Sequence, residues 1–300
     1  MAKELQLTEK HSPRYSGLDT WPAHETLEAL WASQLKAVSC VQSAIPFIEK
    51  SAEQIVARLS NDGRLFYLGA GSSGHLAIQD GLELNPTYGW PLEKLIPLIA
   101  GGREAVMSPM GGAEDHEHLS VEALQEHNIT DKDVLIAVAA SGSTPYTLAA
   151  VKYAQQIGAL VVSVANNEQA AIFKHSNHSI FLNSGSEVIA GSTRMAAGTA
   201  QKAALNMLST LVMTKLGHVH DGLMVSMVIN NDKLAQRGVA IVQEITGESE
   251  NKASAALDLA NKNIKLAVLI TMGHSKPEAM AALEKSKGHL RQAMDLRNTN

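Results

Sequence analysis

Residues 66–86, FYLGAGSSGHLAIQDGLELNP, join an apolar run, a glycine-serine turn and a helix-like segment. Gly69, Gly71 and Gly74 match G-x-G-x-x-G between a strand pattern and a helix pattern, the context of a dinucleotide fingerprint. That reading also needs an acidic residue after the second strand to hold a ribose, but the corresponding run, LIPLIAGGREA, continues into Gly101, Gly102 and Arg103. The turn offers instead the hydroxyls of Ser72 and Ser73 beside backbone N–H groups at a helix start, which suits a phosphate monoester. A plain strand-to-helix turn with a serine cap is the competing explanation.

Outward from this stretch the pattern repeats. RLFYLGA, KLIPLIAGG, DVLIAVAASG, ALVVSVANN and HSIFLNSG are short apolar runs separated by helical stretches, which predicts an α/β fold with a largely parallel sheet covered on both faces. The third run ends in a second hydroxyl-rich turn, Ser141, Gly142, Ser143 and Thr144, with Pro145 opening the next helix. Two such loops converge at the C-terminal edge of a parallel sheet. Residues 1–60 contain two helices with a break at Pro46, and residues 61–240 carry the sheet pattern. Residues 241–300 form a small C-terminal helical subdomain, in which Ser275 can cap and Pro277 suits a first turn.

Composition narrows the function. A 45% hydrophobic content supports a sizeable core, and a formal charge of −5 gives no broad attraction for nucleic acid. The single cysteine, Cys40, excludes an intrachain disulfide and a cysteine-clustered zinc site, and fits a reducing cytoplasm. Neither a signal-peptide core nor a membrane-spanning run is present. Histidines and carboxylates in GGAEDHEHL, and the pair in HVH at residues 218–220, are zinc-compatible donors, but neither follows a closed-site spacing.

The paired hydroxyl turns resemble the sugar isomerase (SIS) domain, a three-layer sandwich that holds phosphosugars. Residues 185–208, GSEVIAGSTRMAAGTAQKAALNML, are similar to the signature shared by N-acetylmuramic acid 6-phosphate etherases and glucokinase regulatory proteins. LGAGSSGHLAIQDGLELNPTYG, GGAEDHEHL, ASGSTPY and MVSMVINNDKLAQR resemble etherase segments in the same order. The resemblance implies a cytoplasmic homodimer, without metal or organic cofactor, acting on a phosphorylated amino sugar. Such an enzyme releases D-lactate from N-acetylmuramic acid 6-phosphate and leaves N-acetylglucosamine 6-phosphate. It also places the family's two catalytic glutamates on Glu83 and Glu114. The chain departs from the etherase pattern where arginine is usual at His75 and Ser143, lysine at Ala196, and proline at Ser186.

The chemistry fits these residues. In a ring-opened sugar an aldehyde acidifies the C2 proton, so a carboxylate of raised pKa can take it while the C3 ether oxygen leaves. Glu83 sits between Leu82 and Leu84 near Asn85-Pro86, a setting expected to end the helix and desolvate the acid. Glu114 is the candidate for activating the added water, its bland alternative being a solvated acidic loop. Ser72, Ser73, Ser141, Ser143, Thr144 and Ser192 are candidate hydroxyl contacts to the substrate. Arg194 is a candidate for an anion, and Glu187 either for sugar hydroxyls or for bracing Arg194. A phosphosugar-binding regulator and an aldose-ketose isomerase use related sites, and release of D-lactate separates them from an etherase.

Overall fold

The computed structural model describes residues 7–108 and 111–296. The described residues form two compact units, the first within residues 7–82 and 93–209 and the second within residues 83–92 and 210–296. The sequence reading sets boundaries at 60/61 and 240/241, where the hydrophobic period changes. The compact units instead divide within a single helix, α8 (Ala196–Lys215), and the second takes in a short segment from early in the chain.

The first unit begins with α1 (Ala23–Cys40) and α2 (Ile45–Leu59), separated by a 3-10 turn that ends just before Pro46. All five apolar runs are strands: β1 (Leu65–Gly69), β2 (Leu95–Ile99), β3 (Val134–Val138), β4 (Leu160–Ala165) and β5 (His178–Phe181). They pair in parallel in the order β2-β1-β3-β4-β5. β1, β3 and β4 are buried at every position, as a sheet covered on both faces requires. β2 is an edge strand, and its exposed Pro97 lacks an N–H that an inner strand would need. Phe66, Leu68, Leu135, Ala137 and Val161 pack against α6 (Glu117–Glu126) and α7 (Pro145–Ile157). α2 packs against β3, β4 and β5, and α3 (Gly71–Leu82) packs against β1 and β2. This is the expected three-layer α/β sandwich.

Strand order reverses between β1 and β3, so the crevice of this sheet opens at the C-terminal ends of those two strands. The two hydroxyl turns leave these neighbouring ends, where Gly69 is registered with Val138. Gly74 is there for packing: a Cβ on it would lie 2.8 Å from the Gly69 backbone. The glycine spacing that imitates a nucleotide fingerprint therefore lets α3 start against its own strand.

The second unit holds α4 (Leu84–Tyr88), α9 (Asp232–Thr246), α10 (Glu250–Leu259), α11 (Ile264–Thr271), α12 (Lys276–Lys285) and α13 (Leu290–Asp295). Val225, Val242, Leu257, Val268 and Leu290 contribute to its core. Asn231 caps α9, accepting from the Leu234 N–H at 2.9 Å, and Ser275 forms a capping box with Glu278 on α12.

Candidate functional site

The first turn is almost without slack. α3 starts at Gly71, two residues beyond the end of β1, and the Gly74 N–H already donates to Ala70 O at 3.0 Å. Ser73 points inward and is buried, its Oγ accepting from the Ala140 N–H at 3.3 Å. It therefore ties the β1 turn to the β3 turn. Ser72 and His75 flank it on the open side. His75 Nδ1 lies 2.7 Å from Gly71 O. A carbonyl only accepts, so Nδ1 carries the proton and Nε2 is left as the second ring nitrogen.

Gly71, Ser72 and His75 line a cavity of about 410 Å³ together with Ile99, Glu114 and Met107 at the end of the short helix α5 (Glu104–Met107). Glu114 lies in a 3-10 turn, Ala113–Asp115, whose Ala113 is buried in the core while Glu114 is exposed. A buried alanine beside a φ of +78° at Gly112 thus fixes the turn and presents the carboxylate. Asp115, His116, Glu117 and His118 are all exposed. Among the described residues no group of three or more His, Cys, Asp or Glu is arranged to hold a metal.

The second turn is organised by Ser141, whose Oγ accepts from the Ser143 N–H at 3.2 Å and lies 3.3 Å from Thr144 Oγ1. Gly142 has φ +68° and a Cβ there would meet the Ala170 Cβ at 2.2 Å, so the loop is clamped onto its neighbour. Ser141, Ser143 and Thr144 remain partly exposed at the start of α7. Thr144 occupies the N-cap without spending its hydroxyl on the helix.

The settings of Glu187 and Glu83 differ from those expected. Glu187 does not brace Arg194: it is fully buried, and its two carboxylate oxygens accept from the Ala196 and Ala197 N–H groups at 2.8 and 2.9 Å. Burial pushes its pKa up, and the two helix N–H bonds oppose that shift. It is the cap of α8, which starts at Ala196 because the cap reaches there. Arg194 is exposed and has no carboxylate partner among the described residues, and Ser192 beside it is partly exposed. Glu83 is also exposed. α3 stops at Leu82, itself 53% exposed, and Glu83 precedes α4, its carbonyl accepting from the Thr87 N–H at 3.3 Å. Pro86 lies inside α4 instead of ending a helix, so no apolar wall encloses the acid within this segment.

Sequence reasoning missed Asp80. It is buried on α3 and accepts from Tyr67 Oη at 2.9 Å, Asn206 Nδ2 at 2.5 Å and Ser209 Oγ at 3.3 Å. Burial raises its pKa against those three bonds and the Lys202 charge. Asn166 and Asn167, at the end of β4, form a second buried network. Asn167 Nδ2 donates to Ala140 O at 2.9 Å and Thr8 Oγ1 at 3.3 Å, while Asn166 accepts from Gln201 Nε2 at 2.9 Å. A doubled asparagine at a strand end was the available signal for it.

Comparison with known proteins agrees with this geometry. The family described as "Glucokinase regulatory protein N-terminal SIS domain" matches residues 47–155, and "SIS domain" matches residues 116–211. A Deinococcus radiodurans N-acetylmuramic acid 6-phosphate etherase is 43% identical over 96% of this chain and 94% of its own length. The protein of that name from Clostridium beijerinckii is 41% identical over 96% of this chain and 95% of its own. Among solved structures, a phosphoheptose isomerase from Francisella tularensis superposes with a TM-score of 0.50 at 18% identity, covering 65% of this chain and all of the other. That last likeness concerns the fold. Among the described residues no helix is long and apolar enough to cross a membrane.

Proposed function

The chain belongs to the N-acetylmuramic acid 6-phosphate etherase family, and from that premise we propose how this carbon–oxygen lyase cleaves the D-lactyl ether of its substrate. The products are N-acetylglucosamine 6-phosphate and D-lactate. The observation that carries the reading is the cavity at the β1 turn, which joins Ser72, His75 and Glu114. Its hydroxyl and the helix start at Gly71 suit the phosphosugar.

In the proposed mechanism Glu83 takes the C2 proton of the ring-opened sugar. The C2–H electron pair forms a C2–C3 double bond conjugated with the aldehyde, and the C3–O bond breaks. Its electron pair goes to the lactyl oxygen, which receives the proton from Glu83. Glu114 then removes a proton from water as the oxygen adds to C3, the double bond's electron pair shifts to C2, and the proton held by Glu114 is delivered there. Ser141, Ser143 and Thr144 are proposed as further phosphosugar contacts, and Arg194 and Ser192 as contacts to the lactyl carboxylate. Supporting the division of labour, Glu114 lines the same cavity as the first hydroxyl loop.

The proposal includes peptidoglycan recycling in a reducing cytoplasm, which one half-buried thiol at Cys40 suits. It includes a homodimer, whose support is an unpartnered stripe on α1. Leu27, Trp31, Leu35 and Val38 are 65%, 64%, 49% and 53% exposed. At about 100° per residue they lie within about 80° of one another, so a second copy can cover all four by two-fold symmetry.

The test is D-lactate release from N-acetylmuramic acid 6-phosphate, with solvent deuterium incorporation at C2. Glu83→Gln is expected to abolish both. Glu114→Gln is expected to lower lactate formation and hydration of the unsaturated intermediate. Wild-type turnover by Glu83→Gln, or no lactate from the wild-type enzyme, overturns the proposal.

A further inference from the structure

The second unit has a cavity of its own, about 450 Å³, lined among others by Tyr88, His218, Ser226, Lys262 and Lys265. The segment MVSMVINNDKLAQR, which takes no part in the hydroxyl turns, supplies one wall through residues 225–229. That wall is held firmly: the Val228 N–H donates to Pro86 O at 3.1 Å, and a Cβ on Gly89 would lie 2.6 Å from Ser226 O.

The polar groups of this cavity are unbalanced. Lys265 is only partly exposed, and its Nζ donates to Gly288 O at 2.8 Å. It has no carboxylate partner among the described residues, and no aspartate or glutamate lines the cavity. His218 Nδ1 is buried with no hydrogen-bond partner. The groups charging His218 from its surroundings are Lys265 and His289, both of the same sign, while the Tyr88 backbone carbonyl supports its protonated form. Lys262 adds another cation on a backbone of φ +64°. The first N–H groups of α11 open beside these residues, with Leu266 capped by Asn263 at 3.0 Å. A half-buried ammonium and an unpaired buried ring nitrogen without a counter-charge are costly, and an anion offsets that cost, with the exposed Lys262 at the rim adding attraction.

We propose that this cavity binds a small oxyanion, a carboxylate or a phosphate monoester, between Lys265, His218 and the start of α11. Such a site is distinct from the cavity that holds Glu114 and does not rest on the etherase reading. α4 runs from the residue after Glu83 to Tyr88 at the cavity wall.

The experiment follows the His218 ring signals of full-length protein labelled with ¹⁵N-histidine, assigned by loss of those signals in His218→Gln. Sodium phosphate is titrated in one arm and sodium D-lactate in another, with sodium chloride at matched ionic strength as control. The expected result is a saturable shift toward the protonated ring in the phosphate or the lactate arm, which also identifies the class bound. Lys265→Gln is expected to weaken that binding about tenfold, the size of one charge-assisted hydrogen bond. Lys262→Gln serves the same comparison if Lys265→Gln fails to fold. Burial lowers the Lys265 pKa to about 8, so affinity is expected to fall as pH rises through that value. No saturation in either arm, an equal shift with chloride, or undiminished affinity in both lysine variants overturns the proposal.

Discussion

Single side chains separate the parts of the site that local sequence reveals from those it hides. Ser72 is legible because a hydroxyl after a strand and before a helix has few other places to go. Glu187 and Asp80 are not, because their partners are set by tertiary contacts: Glu187 meets Ala196 and Ala197, and Asp80 meets Tyr67, Asn206 and Ser209. Glu187→Ala leaves two helix N–H groups unsatisfied and is expected to cost about 2 kcal/mol, read as a lowered urea midpoint. Glu187→Gln keeps one acceptor and is expected to lose less. Ser72→Ala removes a hydroxyl from the cavity wall and is expected to raise KM for the phosphosugar several-fold while changing kcat little, measured by steady-state lactate release. Ser73→Ala is expected to reduce stability instead, because its Oγ holds the Ala140 N–H.

Among the elements, the strands were readable because parallel sheets demand continuous apolar runs, and five runs gave five strands. The short pieces were not. α4 and the 3-10 turn at Ala113–Asp115 are too brief for periodicity to reveal, and they decide the surroundings of Glu83 and Glu114. The junction of β1 and α3 has its own test. Gly74→Ala puts a methyl 2.8 Å from the Gly69 backbone, and backbone cannot swing aside, so a destabilisation of about 2 kcal/mol or more is expected by urea denaturation. At the other end of the sheet, Arg64 bonds Asp133 Oδ2 at 2.7 Å and Oδ1 at 3.1 Å. Burial pushes the Asp133 carboxyl up, but the Arg64 and Thr130 bonds outweigh it and leave the pKa lowered. Its contribution is therefore full above the ordinary aspartate range and is lost as pH falls through the depressed value.

For the whole molecule, acid sensitivity has a second and earlier source. Burial lowers the His218 pKa from 6.5 to about 4, so below about pH 6.5 the unfolded chain takes a proton that the folded one refuses. Stability is expected to decline between those two values by on the order of 2 to 3 kcal/mol, seen as a falling urea midpoint in chloride buffer, and His218→Gln is expected to flatten that slope. The α1 stripe gives a test of assembly. Trp31→Asp with Leu35→Asp places two charges on the exposed apolar face, and sedimentation equilibrium is expected to shift toward monomer.

The division of the chain bears on how such a protein can be inherited or cut. The helical unit owns residues 83–92 as well as everything after Ser209, so its coding sequence is discontinuous. Removing residues 210–300 would take away His218, whose ring meets that of Trp90 edge-on at 6.3 Å. No single recombination break can add or remove that unit cleanly, and lineages that keep the sheet must keep, replace or re-bury that ten-residue loan.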